Sequence, residues 1–430
     1  MRRVYMDANA TTPLLPEVFE AMRPFLLEHF ANASSIHQPG QHARAAVDHA
    51  RDQFAALLHC RASEIVFTSG GTESDNLALF GTLQPGQHLI TSTIEHHAVL
   101  HAAEALQKRG VDVTFLPCNS QGVIEPATLQ QALRPDTRLV SIILANNETG
   151  AIQPIPELAR LTKAHSQALF HTDAVQAAGK LPLDLGPKGD LAQVDLLSIS
   201  GHKMYAPQGT GVLFTRRNVR LAPLFHGGTH ERQRRAGTEN VAGIVALGTA
   251  AELAQSWLRE DAGAPSSTGS PIVGQGGLSG ESPSVVAASA TPTQLELLRN
   301  HFEQTLLNQI PDSGVNSGAA PRTPNTANLY FDHVEAEALV IALDLKGLAV
   351  SGGSACQSGA TEPSHVLTAM GLSPARARAS VRFSLSRLNT PDDVAFALEI
   401  IPEAVARLRS LSPAWNHPKP SSDVAQLLVQ

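Results

Sequence analysis

Cysteine is scarce in this chain, with 3 residues in 430, at Cys60, Cys118 and Cys356. So few and so scattered, they exclude a disulfide framework and a zinc site built on paired thiolates, and they fit a reducing compartment. Charged residues make up 17% and the formal net charge is -7, the wrong sign for a protein that binds nucleic acid by neutralising phosphates. Long apolar runs are missing as well. The N-terminal Met-Arg-Arg-Val-Tyr-Met-Asp turns polar before a signal-peptide core forms, and no later run approaches the length of a membrane span. The composition, 43% hydrophobic, is that of a globular protein with small-molecule or protein partners, no direct nucleic acid and no membrane, and the expected location is cytoplasmic.

What is present is an alternation. After amphipathic helices expected over 16–30 and the forties to fifties, short β-rich runs at 65–68, 88–91, 111–116, 138–144, 168–171, 194–200 and 211–215 alternate with helical stretches. Such alternation specifies an α/β fold, a mostly parallel sheet with helices on both faces. Ligands of these sheets sit at the carboxyl ends of the strands, so the residues after each strand carry the functional signal. The first strand runs into Thr68-Ser-Gly-Gly-Thr-Glu-Ser-Asp-Asn76. There the amides of Gly71 and Thr72 at a helix start suit a phosphate; an ordinary capped helix is the alternative. The second leads to Glu95-His96-His97. His96 offers a flat imidazole for stacking, while His97 and His101 have the i, i+4 spacing of a metal pair but no third ligand in sequence, so no metal is expected.

Two further strand ends carry Asn146-Asn147-Glu148 and Thr172-Asp173-Ala-Val-Gln176. A carboxylate such as Asp173 at the end of an apolar strand needs a cationic partner, and a protonated pyridine nitrogen would be one. The apolar run at 194–200 stops at Gly201 and presents His202 and Lys203. A lysine so placed suits an amine nucleophile that forms a Schiff base with an aldehyde cofactor, its deprotonation favoured by burial or a protonated His202; a snorkelling loop lysine is the alternative. The Gly-rich, basic stretch 226–240 reads as a solvated loop before another helix.

Composition shifts at 262–291, which is almost wholly Gly, Ser, Pro, Ala, Val and Thr with Glu281 as its only charged residue. This reads as a flexible insertion. It divides the chain into a 1–15 segment packing with a smaller domain, a large cofactor-binding domain over 16–258, the insertion over 259–292, and a small α+β domain over 293–430. In the small domain, strands are expected at 327–331, 348–351 and 380–385 and helices at 294–310, 336–345 and from Pro391. Cys356 sits on a small-residue loop, Gly352-Gly-Ser-Ala-Cys-Gln-Ser-Gly-Ala360, that can move. Arg382 has a fork suited to a substrate carboxylate or, equally, to an ion pair with a nearby acid.

Together these segments resemble the cysteine desulfurase family, within the class-V aminotransferase group of pyridoxal-phosphate enzymes. The resemblance rests on Asp7-Ala-Asn-Ala-Thr-Thr-Pro13, Phe67-Thr-Ser-Gly-Gly-Thr-Glu-Ser-Asp-Asn76, Glu95-His96, Asn146-Asn-Glu148, Asp173-Ala-Val-Gln176, Ser200-Gly-His-Lys203, Arg235-Ala-Gly-Thr238 and Ser354-Ala-Cys356, in family order. It implies a fold-type-I, pyridoxal 5'-phosphate-dependent transferase in which Lys203 carries the cofactor, Asp173 pairs with the ring nitrogen, His96 stacks on the ring, Gln176 contacts its ring oxygen and Asn147 lies beside the substrate. Gly71, Thr72, Ser200 and His202 would hold the phosphate, with Thr238 reaching it from the other subunit of a homodimer. Arg382 would take the carboxylate of L-cysteine, and Cys356 would accept its sulfur as a persulfide, leaving alanine. The sulfur would pass to an acceptor protein such as an iron–sulfur scaffold or a tRNA-thiolation relay, any metal contact being a transient one between Cys356 and a cluster. Gly352, Gln357 and Gly359 depart from the family's usual loop, and the insertion has no counterpart in it. The rival readings are a transaminase or a cysteine or selenocysteine lyase of the same group, which needs no loop cysteine, and a non-catalytic interaction protein, which should have lost Lys203 or Asp173.

Overall fold

A computed structural model describes residues 2–261, 290–352 and 363–411. Residues 262–289 of the expected insertion and the loop bearing Cys356, Gln357 and Gly359 lie outside the described residues. Seven strands form the main sheet in the spatial order Ile65–Thr68, Gly211–Thr215, Leu196–Ser200, Leu169–Asp173, Thr137–Ser141, His88–Ser92 and Asp112–Leu116. Gly211–Thr215 runs antiparallel to both neighbours, and the other pairings are parallel. The four strands nearest the centre and edge that read as unbroken apolar runs are buried along their whole length, which is why their sequences show no alternation.

Helices cover both faces. One face packs Val47, Ala50 and Phe54 of Gln38–Leu57 and Ala246, Ala250 and Ala254 of Val241–Asp261 against Phe67, Phe170 and Phe214 of the sheet. The other takes Leu77 and Leu79 of Gly71–Phe80 and Val99, Ala103 and Leu106 of His97–Gln107. The expectation that no run approaches membrane-span length is corrected here, because Val241–Glu260 has the length and a mean hydropathy of 1.3. Its small residues pack into the core, with 56% of that window buried.

A second sheet of four antiparallel strands, in the order Ser351–Gly352, Ser380–Ser384, Thr326–Phe331 and Ser313–Val315, carries its own apolar cluster built on Phe302, Leu329, Phe383 and Ile401. The N-terminal strand Val4–Tyr5 pairs in parallel with Leu348–Ala349, and Val4 and Met6 join that cluster. The run expected as one strand over 348–351 is thus divided between two sheets. The insertion boundary also moves. Ala290 accepts a hydrogen bond from Trp257 Nε1 at 2.6 Å, and Thr291 caps the helix Pro292–Gln309 in a reciprocal pair with Gln294. A deletion confined to 262–289, bridged by a short glycine–serine linker, is therefore expected to leave the melting temperature near wild type, whereas Thr291→Ala alone should cost about 1 kcal/mol. Thermal unfolding followed by circular dichroism checks both.

Candidate active site

Ten of the residues singled out in the sequence, Gly71, Thr72, His96, Asn147, Asp173, Gln176, Ser200, His202, Lys203 and Arg382, line one cavity of about 330 Å3. The parallel strands deliver most of them from their carboxyl ends, and the small sheet delivers Arg382 from the middle of Ser380–Ser384. The strand Leu196–Ser200 passes into a 3-10 turn, Gly201–Lys203, which closes on itself through Met204 N to Gly201 O. Lys203 Nζ donates to the carbonyls of Asn9 and Ala10, both at 2.5 Å. A snorkelling surface lysine is excluded, since the amine is turned inward to the N-terminal segment.

His202 lies beside it, its Nδ1 3.1 Å from Thr11 Oγ1. Burial first, then the charges of Lys203 and Lys180, hold its ring down to a pKa of about 4. It is neutral near pH 7, so the expectation of a protonated His202 beside Lys203 is corrected. His96 is the N-cap of His97–Gln107, its Nδ1 accepting from Ala98 N at 3.1 Å, which fixes the ring plane and leaves the hydrogen on Nε2. Burial and Lys203 bring it to about 4, again a neutral ring. His97 does meet a third histidine, since its ring centroid lies 4.9 Å from that of His101 and 4.7 Å from that of His365. Even so, no group able to hold a metal ion exists among the described residues.

Asp173 ends its strand with Oδ1 accepting from Val175 N at 2.8 Å, and burial pushes its carboxyl up to about 6. Two acids that the sequence did not single out stand behind it. Burial raises Glu95 to about 8, helped by Asp173, and raises Asp75 well above the carboxylate range. Glu95 Oε1 accepts from Ser92 Oγ at 2.5 Å and Ile143 N at 2.9 Å. Asp75 Oδ1 and Glu95 Oε2 have no hydrogen-bond partner among the described residues. Such a wall disfavours a further anion there and favours a cation at Asp173.

The opposite end of the cavity is built for an anion. Gly70 has φ 155 and leaves the helix Gly71–Phe80 without a side-chain cap, so the first N–H groups face the cavity between Thr72 and Ser200. A Cβ on Gly71 would meet Val175 Cγ2 at 2.7 Å, so glycine is what lets the helix start approach the sheet. Of its two sequence alternatives Arg382 shows the ion pair: Nη2 pairs with Asp7 Oδ1 at 2.9 Å and Nη1 donates to Asn147 O at 2.9 Å, while its buried Nε has no partner among the described residues. Asn147 Oδ1 is likewise buried and unpartnered.

Asn9 is a further residue that sequence reasoning missed. Its side chain donates to Asn147 O and Thr326 Oγ1 and accepts from Asn325 Nδ2, and its carbonyl accepts from Lys203 and from Gln176 Nε2. The only hint was its place in Asp7-Ala-Asn-Ala-Thr-Thr-Pro13.

Thr238 is not in this cavity. It lies exposed on a turn near Arg235, which pairs with Glu73 at 2.9 Å. The stretch 226–240 is no mere solvated loop: Glu231, Arg232 and Gln233 have φ of 48, 58 and 67, and buried Glu231 takes Arg51 by both oxygens at 2.9 and 2.7 Å. Left-handed backbone costs ~1–2 kcal/mol per residue outside glycine, and the desolvated bidentate pair holds it in place.

An amine nucleophile, a neutral imidazole plane, a buried acid awaiting a cation and an anion cradle at the far end together fit a phosphorylated pyridine aldehyde. The chain matches the family profile "Aminotransferase class-V" over residues 4–265 and 288–396. It is 45% identical over 419 residues to a cysteine desulfurase of Nostoc sp., covering 97% of this chain and 96% of that protein. Among solved structures, one described as a NifS-like protein superposes with a TM-score of 0.80 at 33% identity, covering 94% of this chain and 100% of the other. Another, SspA in complex with cysteine, superposes with a TM-score of 0.72 at 35% identity, covering 90% of this chain and 99% of the other.

Proposed function

This chain belongs to the class-V aminotransferase family, and we propose that it is a pyridoxal 5'-phosphate-dependent L-cysteine desulfurase. The observation that carries the cofactor reading is the convergence of Lys203, Asp173, His96 and the Gly71 helix start on one cavity. Gly71, Thr72, Ser200 and His202 would hold the phosphate, His96 would lie against the ring, and Asp173 would face its nitrogen. When bound, the cofactor supplies an electron sink for bonds broken at the substrate's carbons.

The residues of the chain do the rest. Lys203 is the amine that would hold the aldehyde carbon, and it is placed to move the proton at the substrate α-carbon. Asp173 would keep positive charge on the ring nitrogen, since a cation beside a buried carboxyl favours its ionised form. Arg382 takes the substrate carboxylate, with Asn147 beside it. Cys356 Sγ, as thiolate, forms an S–S bond to the substrate sulfur while the C–S bond breaks; the electron pair stays on carbon, which takes a proton and leaves as alanine. Cys356 holds the sulfur as a persulfide for an acceptor protein, an iron–sulfur scaffold or a tRNA-thiolation relay.

A homodimer completes the reading. Exposed Phe19, Leu26, Leu27, Phe30 and Ile36 offer apolar area, and Thr238, exposed and outside its own chain's cavity, would serve the partner's. Asp173→Asn is the test of the cofactor contact. It should keep the bound cofactor, because the phosphate cradle is untouched, but slow alanine release from L-cysteine on the order of 100-fold. Wild-type turnover in Asp173→Asn would refute the role given to this acid.

A further inference from the structure

Lys180 is a buried lysine that the reaction as described does not use. After Asp173 the chain makes a compact turn in which Ala178 N bonds to Ala174 O and Lys180 N to Ala177 O. Gly179, at φ 71, lets that turn reverse, and a Cβ there would press Met204 Cβ at 3.2 Å. The reversal brings Lys180 back beneath Gln176. Only 7% of Lys180 is exposed. Its Nζ donates to Gln176 Oε1 at 2.9 Å and to Gln176 O at 3.2 Å, and it has no carboxylate partner among the described residues. Burial first, then Lys203 and Arg382, bring its amine down to about 7. An apolar side chain would avoid this desolvation cost, so the amine must contribute something that packing does not.

What it contributes is the orientation of an amide. A carboxamide rotated by half a turn exchanges an acceptor for a donor at nearly the same shape. Lys180 Nζ has N–H bonds enough for both Gln176 O and the amide whether or not it carries the extra proton, so the group of Gln176 facing it is its oxygen. A backbone carbonyl only accepts, so the group facing Asn9 O, at 2.9 Å, is the nitrogen. Both constraints select the same rotamer. Gln176 lines the cavity and Lys180 does not. The second N–H of Gln176 Nε2 is the polar group this amide has left to offer a ligand.

We propose that Lys180 is a positioning residue that locks Gln176 with its N–H end toward the cavity, so that this position selects a ligand oxygen with lone pairs and rejects a ligand lacking one. Resting on the cofactor reading, that oxygen is the ring hydroxyl oxygen of pyridoxal phosphate. Without Lys180, Gln176 Oε1 loses its interior donor and the amide is held by Asn9 O alone.

The test is equilibrium binding to full-length apoprotein of two probes, pyridoxal 5'-phosphate and its 3-deoxy analogue, which lacks the ring oxygen. Wild type should prefer the first by about tenfold, the scale of one oriented hydrogen bond. Lys180→Met and Lys180→Leu should bring that preference close to one, and Lys180→Met combined with Gln176→Leu should be no worse than Gln176→Leu alone. A preference kept at the wild-type ratio in Lys180→Met, with both affinities lowered together, overturns the role, as does a failure of both lysine variants to fold, which would make Lys180 a folding residue. Wild type that binds neither probe would overturn the cofactor reading and this role with it.

Discussion

Lys203→Ala is expected to lose the visible absorption band of the purified protein and to lower alanine formation from L-cysteine by on the order of 10⁴-fold or more, the scale seen when a covalent nucleophile is removed. The reason is positional. The strand Leu196–Ser200 is buried throughout and the turn Gly201–Lys203 is tied down by Gly201 N to Thr210 O and Thr12 N to His202 O, so Lys203 projects from a rigid base into the cavity. Its Nζ is turned onto the carbonyls of Asn9 and Ala10. These hydrogen bonds aim the amine into the site from the N-terminal segment.

The variant should still take up pyridoxal phosphate, because the Gly71 helix start and Ser200 are unchanged, but reversibly. Dialysis should then strip it. Lys203→Arg keeps a cation and removes the nucleophile, so it should fail in the same way. A wild-type absorption band in either variant would place the reacting amine elsewhere, and buried Lys180 would be the next residue to examine.

The second large effect concerns sulfur. Cys356→Ser should keep the cofactor and bind L-cysteine, yet form alanine about 100-fold more slowly or worse, because serine is a far weaker nucleophile toward sulfur. The other thiols cannot substitute. Burial pushes Cys60 up to about 12 and raises Cys118 as well, so neither is a thiolate near pH 7. Cys60→Ser and Cys118→Ser should therefore turn over like wild type. Normal alanine release by Cys356→Ser would move the chain to the lyase or transaminase reading.

Most of the sheet was legible because its buried strands are short apolar runs bounded by turn residues, and the residues after them are where parallel sheets place ligands. That reasoning located Asp173, His96 and Lys203 without coordinates. It failed where a residue's role depends on partners far away in sequence. Asn9 touches groups from Asn147 to Thr326, and nothing local marks it. Asp75 lies within a helix of low amphipathic contrast, and its burial follows from packing beneath Asp173. Nothing in the sequence around Lys180 marks it as buried; the reversal at Gly179 puts it there. Ser313–Val315 has too few residues and too little apolar pattern to show a strand. The histidines failed the other way: the charge expected on His202 was a local inference, and burial, a tertiary property, removed it.

Peptide-resolved mass spectrometry of wild-type protein, after incubation with L-cysteine in the absence of reductant and with alanine measured in parallel, bears most directly on the desulfurase assignment. The expected result is one added sulfur atom on the peptide containing Cys356, none on those containing Cys60 or Cys118, and one alanine released for each sulfur bound. Sulfur on another cysteine, or alanine or pyruvate formed with no sulfur left on the protein, would contradict it.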